Sequence, residues 1–268
     1  MKESNVLEIK GLNFKKNNNK ILNNFNLKVR KNSIHSILFK KEESKDKLLD
    51  FVRAKAEIEE AELFINGEKI NNQQQNFDRN NIYLINQFSA VNPEKDPFAM
   101  FKFNKKGKNE NHSTVFSEMT IAENIFFGRE PLKSFFFLKS INYQKMDKLT
   151  SDLLSLLDLG LSPEQKMVEL SPLEKQLVEM LKALSLEPEI LLIDQAVIQL
   201  SKNEKEIFFD FMEKLKEKGI TIIYFTKEIE EIFASSEYVS VLKDGENRGN
   251  YRVSDLEYNQ LAVLLMGE

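Results

Sequence analysis

Lys45 lies in the one stretch of this sequence whose residue types and spacing are close to those of a phosphate site. Ser33-Ile-His-Ser-Ile-Leu38 reads as a buried strand, and Leu48, Leu49 and Val52 have helical spacing, so Phe39-Lys-Lys-Glu-Glu-Ser-Lys-Asp46 joins a strand to a helix. A loop there binds phosphate when glycines let successive backbone N–H groups converge on the anion. A Lys then reaches the terminal oxygens and a Ser or Thr reaches Mg²⁺, in the pattern GxxxxGK(S/T). Here Phe39 and Ser44 stand at the glycine positions and Asp46 at the hydroxyl position; only Lys45 matches. Side chains at 39 and 44 crowd a backbone that glycine would let turn, because left-handed conformations are unfavourable for residues with a Cβ. Glu42, Glu43 and Asp46 add negative charge where a polyanion would sit, each like-charge contact at ~4 Å costing roughly 1–4 kcal/mol. Lys40, Lys41 and Lys47 offset part of this without rebuilding the amide cradle. The competing reading is a solvated loop that caps a helix. Further along, Asp194 ends an apolar strand and is followed by Gln195, an amide that cannot take a proton from water as a general base does.

Composition removes other chemistries. There is no cysteine, so thiolate nucleophiles, disulfides and cysteine-ligated metal are excluded, and two histidines, His35 and His112, cannot form a multi-histidine site. A net charge of −4 gives no reason to expect nucleic acid as a partner. The N-terminus lacks an apolar signal core and no apolar run is long enough to span a bilayer, so the expected location is cytosolic or peripheral on the inner face of the membrane. Glycine is scarce, 9 residues or about half the usual share.

The elements that must hold Lys45 and Asp194 follow from hydrophobic periodicity. Strands are expected at 6–14, 25–29, 33–38, 61–65 and 81–85, with Lys15 to Lys20 and Asn66-Gly67 as turns. The polar, aperiodic stretch from Asn92 to Phe116 reads as a flexible insertion. Helices with one buried face are expected at 44–53, 143–159 and 172–186. After these come strand 190–193, helix 204–218, strand 220–225, helix 228–235, strand 238–242 and a final helix 255–266. Strands alternating with helices imply a mainly parallel sheet covered on both faces.

Met119-Thr-Ile-Ala-Glu-Asn-Ile-Phe-Phe-Gly-Arg-Glu-Pro131 is similar to the "LTIAENIFLGREP" stretch of ATP-binding subunits of ribose, galactose and nucleoside ABC importers. Ser33-Ile-His-Ser-Ile-Leu38 resembles the "EIHALL" strand of that group, and Leu181 to Asp194 resembles the segment leading into its Walker B aspartate. Val241-Leu-Lys-Asp-Gly245 and Leu264-Leu-Met-Gly267 resemble its later strand and its "LMVGR" end. The likeness runs from about Val6 to the last residue. It implies an α/β fold: a P-loop NTPase-like (RecA-like) core with a mainly parallel sheet, an N-terminal antiparallel β part and an inserted helical subdomain. Within a single domain, 1–91 and 187–268 would form the core, 92–116 the insertion and 117–186 the helical subdomain. The group usually carries two such domains per chain, and this chain looks like the N-terminal one.

The same resemblance assigns positions. Asp194 falls at the Walker B aspartate, which holds Mg²⁺ through water, and Gln195 at the catalytic glutamate. Lys227 falls at the switch histidine; its other reading is simple solvent exposure. Gln87 falls at the Q-loop glutamine. Phe14 is a candidate adenine-stacking aromatic, or else strand-edge packing. Leu170-Ser171-Pro-Leu-Glu-Lys-Gln176 falls at the signature motif, but Pro172 and Leu173 occupy its glycine positions, and Ser171 with Glu174 has the spacing of a capping box. Taken together these substitutions imply a pseudo-ATPase with little or no turnover. ATP and Mg²⁺ would be bound weakly through Phe14, Lys45, Gln87, Asp194 and Ser171, with Asp46 a doubtful metal ligand. The expected partners are an ABC permease and a second nucleotide-binding subunit, in a homo- or heterodimer. Two other readings are a weakly active ATP-binding subunit and a soluble interaction protein that has left transport. The transported solute is not readable from these residues.

Overall fold

The computed structural model describes residues 4–17, 19–53, 61–70, 82–86, 89–91, 114–135 and 138–266. Its strands in chain order are β1 (Asn5–Lys16), β2 (Asn19–Arg30), β3 (Ile34–Phe39), β4 (Glu62–Ile65), β5 (Glu68–Ile70), β6 (Ile82–Asn86), β7 (Ser89–Val91), β8 (Thr114–Phe116), β9 (Leu132–Phe135), β10 (Leu138–Ile141), β11 (Ile190–Asp194), β12 (Thr221–Thr226), β13 (Tyr238–Lys243) and β14 (Glu246–Arg252). Two compact units result: Met1–Tyr83, Pro188–Gln195 and Phe209–Glu268 form the first, Leu84–Glu187 and Ala196–Phe208 the second.

The first unit holds an antiparallel sheet in the order β2-β1-β4-β5. In β2, Phe25, Leu27 and Val29 are buried while the residues between them are exposed, the period-2 pattern of a half-covered strand. Asn66 and Gly67 both take positive φ, 51° and 80°, as a two-residue hairpin turn requires, and so join β4 to β5. The unit's other sheet contains β14-β13-β3-β12-β11 in that order. Strands β13, β3, β12 and β11 pair in parallel. Every residue of β3 and β12 is buried, as befits strands covered on both faces. The α/β architecture expected from the alternation is therefore present. Strand β14 was not anticipated, because its residues Glu246–Arg252 are polar and half-exposed; its antiparallel pairing with β13 holds it rather than burial.

Gly245 shows how tightly this unit is closed. Its φ is +81°, and a Cβ there would lie 2.6 Å from the carbonyl oxygen of Ile21, while its own carbonyl accepts from the Asn23 amide at 2.8 Å. Gly245→Ala is expected to cost about 2–4 kcal/mol in denaturant unfolding, combining a left-handed alanine with a backbone clash. Gly128→Ala, with φ +73° but nothing within 4 Å, should cost only about 1–2 kcal/mol.

In the second unit, the TIAEN stretch has a structural task. Thr120 and Glu123 form a complete capping box on the helix Ile121–Phe126. Asn124, 1% exposed, accepts from the Phe116 amide at 2.8 Å and donates to the Phe116 and Thr120 carbonyls at 3.0 and 2.9 Å. The helix expected over 143–159 stops earlier, at Tyr143–Leu154; Asp158 and Gly160 then take positive φ, 56° and 65°. Of the insertion expected at 92–116, residues 92–113 lie outside the described residues, whereas Thr114–Phe116 is strand β8, parallel to β7.

Candidate functional site

The carboxyl ends of β3, β11 and β12 bring Phe39, Asp194 and Lys227 together beside the start of α1 (Glu42–Val52). Such strand ends are where open α/β sheets place their ligands. Lys45 is central. Its side chain is only 5% exposed, and its ammonium lies 2.6 Å from Asp194 Oδ2, 3.1 Å from Glu42 Oε2 and 3.1 Å from Asp46 Oδ1. It also sits 5.5 Å from the centre of the Phe39 ring, and Lys227 approaches the same ring at 5.3 Å. Glu42 is the second hub. It pairs with Lys227 at 2.5 Å and accepts from the Gln195 side-chain amide at 3.2 and 3.3 Å. Three carboxylates thus face two ammonium groups, with the Phe39 ring beside both cations.

The backbone explains why. α1 begins at Glu42, so only Lys40 and Lys41 separate it from β3. Residues 42–44, loop in the glycine-rich pattern, are here the first helical turn, and no residue from 39 to 46 takes positive φ. The Lys45 amide is already spent on the Lys41 carbonyl at 3.3 Å. Lys41, the N-cap residue, makes no side-chain cap; Glu42 and Glu43 instead put negative charge against the positive end of the helix. The helix expected to start at 44 therefore starts two residues earlier, and the solvated capping loop is replaced by an acidic first turn. Flanking pairs, Lys16 with Glu43 at 2.9 Å and Lys41 with Asp244 at 3.0 Å, hold its edges; both are exposed and worth little singly. Ser44 donates to the Ile21 carbonyl at 2.9 Å.

Protonation follows from burial and neighbours. Burial alone would lower the Lys45 ammonium, but Asp194 and Asp46 outweigh it and its pKa is raised, so Lys45 stays a cation. Asp194 is raised by burial, with Lys45 offsetting only part of this and Glu42 and Asp46 adding to it. Its Oδ1 is buried and has no hydrogen-bond partner. Glu42 is lowered, because Lys227 and Lys45 overcome the effect of burial.

Sequence reasoning placed Lys45, Asp194, Gln195 and Asp46 in one neighbourhood, and the structure does bring them together. Lys227 is solvent-exposed, as one of its two readings had it, with its side chain 40% exposed, and it is also ion-paired to Glu42. Its neighbours in sequence form a relay that no motif signalled, in which Tyr224 and Thr226 hydroxyls both donate to the buried Glu231 at 2.5 Å and the Glu228 amide donates to Thr226 at 3.1 Å. The role of Glu42 was likewise missed, because its partners lie 153 and 185 positions away in sequence (195 − 42 and 227 − 42). Phe14 is half-buried and carries the Lys47 ammonium 5.0 Å over its ring. Ser171, in the second unit, accepts from the Glu174 amide at 3.3 Å, and its own amide donates to Glu174 at 2.7 Å; with Pro172 at the first helical positions, this is a capping box closed on its own helix. Gln87 lies outside the described residues. Among the described residues, no group of three or more metal-ligating side chains could hold a metal ion, and no helix is long and apolar enough to cross a membrane.

The family described as ABC transporter matches residues 22–197, which run from β2 past Asp194 and Gln195. The chain belongs to the ABC transporter family. Among its curated relatives, the galactose/methyl galactoside import ATP-binding protein MglA of Clostridium perfringens (strain SM101) is 28% identical over 264 residues, 98% of this chain and 46% of the relative. MglA of Haemophilus influenzae (strain KW20) is 27% identical over 248 residues, 92% of this chain and 44% of the relative. The chain thus spans somewhat under half the length of these relatives. Two solved structures share the fold. The ADP conformation of MJ1267, an ATP-binding cassette of an ABC transporter, has TM-score 0.74 and 16% identity, covering 98% of this chain and 99% of that one. The cbiO1 structure from Clostridium perfringens, part of the ABC transporter complex cbiONQ, has TM-score 0.73 and 16% identity, covering 94% and 90%. The ABC ATPase fold expected from the resemblance is therefore present, with its antiparallel N-terminal sheet and mostly parallel core.

Proposed function

We propose that this chain is a non-catalytic ATP-binding-type subunit of a sugar or nucleoside importer, one that docks on a permease and pairs with a competent ATPase chain. The observation that carries this reading is the internal neutralisation of Lys45. The cation that would meet a nucleotide's terminal phosphates already meets Asp194, Glu42 and Asp46, with 2.6 Å to the nearest oxygen. A Mg-triphosphate does not fit these residues as they stand. It would have to displace carboxylates from Lys45 and lie against Glu42 and Asp46, and the helical first turn leaves no glycine-built concavity of amides. At the position expected for a general base, Gln195 is an amide that donates to Glu42 and cannot take the proton from water. The sugar assignment rests on the names of the relatives, and the partner assignment on the family.

The test combines calorimetric Mg-ATP titration, steady-state ATPase assay and co-purification with a permease. The expected result is no saturable nucleotide binding at sub-millimolar concentration and permease capture that persists without nucleotide. Clear turnover abolished by Asp194→Ala would overturn the reading. A second reading, slow hydrolysis in an assembled transporter, draws on the buried, unpartnered Asp194 Oδ1, an acceptor suited to an ion or its water. The two separate by reversion. Gln195→Glu alone sets a carboxylate about 3 Å from Glu42 and should yield no turnover. Gln195→Glu with Glu42→Gln removes that repulsion, and a rise in ATPase from the pair in the complex would favour the second reading.

A further inference from the structure

At the amino-terminal ends of β3 and β13, away from Lys45, the first unit has a cavity of about 550 Å³, within the usual range for small-molecule sites. Lys28, Arg30, His35, Tyr238, Arg252 and Asp255 line it. Three cations against Asp255 and the Glu8 carboxylate paired with Lys28 leave a formal +1 (3 − 2), in a chain whose net charge is −4. The arginines carry further weight. The sequence has only six (30, 53, 79, 129, 248 and 252) among 38 basic residues, and two of them converge here on one tyrosine. Arg30 donates to the Tyr238 oxygen at 3.1 Å with its guanidinium 4.6 Å from the ring centre, and Arg252 lies 5.9 Å from the same centre. A planar guanidinium fork matches phosphate oxygens in a way an ammonium does not. The Tyr238 hydroxyl reads the resulting field: burial would raise its pKa, yet Arg252 and Arg30 bring it below the ordinary value.

His35 lines the cavity but is only 2% exposed. Its Nε2 lies 2.7 Å from Ser240 Oγ, and that hydroxyl donates onward to Asn250 Oδ1, which also accepts from the Asn247 amide. Ser240 must therefore accept from Nε2–H, which leaves His35 Nδ1 as an acceptor without a hydrogen-bond partner, buried beyond the reach of a molecule in the cavity. Lys28 shares its charge with Glu8 at 3.3 Å.

We propose that this cavity binds a small phosphate monoester, its dianion held by Arg30, Arg252 and Lys28 and the rest of the molecule taken up by a volume much larger than a phosphate group. The site stands apart from the Lys45 cluster and does not depend on the transport reading. Calorimetric titration of the full chain at low salt tests it, with ribose 5-phosphate, ribose and inorganic phosphate as probes. Ribose 5-phosphate should bind saturably, inorganic phosphate about tenfold or more weaker, and ribose not at all. Arg252→Lys keeps the charge but loses the fork, and Lys28→Gln removes an exposed cation. Each should weaken ribose 5-phosphate about tenfold while circular dichroism stays unchanged. The absence of saturable heat up to roughly 10 mM would overturn the proposal. So would equal binding of inorganic phosphate, unchanged affinity in both variants, or affinity that falls instead in Lys40→Gln, which removes an exposed cation of the loop before α1 and would put the anion there.

Discussion

Lys45→Met is expected to destabilise the fold by about 3–5 kcal/mol, because it removes the only cation that, among the described residues, pairs with the nearly buried Asp194. Glu42 and Asp46 are about half-exposed and can return to water, and Glu42 keeps Lys227, so the penalty falls on Asp194. Its sign with pH is a signature. Burial already raises the Asp194 pKa, and loss of Lys45 raises it further, so the folded variant takes up a proton more readily than the unfolded chain. The deficit in Lys45→Met should therefore be largest at neutral pH and shrink as pH falls toward the raised Asp194 pKa. Lys45→Met with Asp194→Asn should recover most of the loss at pH 7, since no uncompensated carboxylate remains. Urea unfolding of the three proteins at two pH values measures this. A deficit below about 1 kcal/mol in the single variant would mean that Lys45 is not held structurally and is free to meet a ligand.

Acid should weaken the protein through His35 well before the ordinary carboxylates protonate. Burial, with the Arg30 charge adding to it, lowers the imidazole from 6.5 to about 3. Above pH 6.5 the ring is neutral in folded and unfolded chains and contributes no pH dependence. Below that, only the unfolded chain takes the proton, so stability falls by up to about 1.4 kcal/mol per pH unit, approaching 4–5 kcal/mol near pH 3. His35→Gln keeps an N–H for Ser240 and removes the titration. The wild-type loss between pH 7 and pH 4.5 should exceed that of the variant by about 2–3 kcal/mol in urea unfolding. Parallel losses would show that the imidazole charges within the fold. Lys28, Arg30, Tyr238, Arg252 and Asp255 face the same cavity in both proteins, and the difference between variant and wild type cancels their contribution and that of the carboxylates.

Much of the fold was legible because hydrophobic spacing repeats faithfully. The buried runs of β3, β11 and β12 and the one-faced helices could be placed within a few residues. What escaped were elements held by pairing rather than burial, such as β14 and the β9–β10 hairpin, where Leu132 is 57% exposed. Helix ends also shifted wherever local chemistry outweighed periodicity. α1 gained Glu42 and Glu43 because acidic side chains favour a helix start and no glycine remained to keep the loop open.

For the Lys45 site, the sequence by itself determined the cast: a phosphate-loop stretch with Phe39, Ser44 and Asp46 in place of two glycines and a hydroxyl, and Gln195 after a strand-end aspartate. It also determined that the amide cradle would be missing, since φ preferences act within a few residues. What those side chains do instead depends on how the strands pair. Asp194 and Lys227 reach the start of α1 through the parallel pairing of β11, β12 and β3, across separations of 149 residues for Lys45 to Asp194 and 185 for Glu42 to Lys227 (227 − 42). Their proximity turns isolated substitutions into a closed ionic cluster, because the strength of a charge pair depends on distance and burial, and neither is written in spacing along the chain.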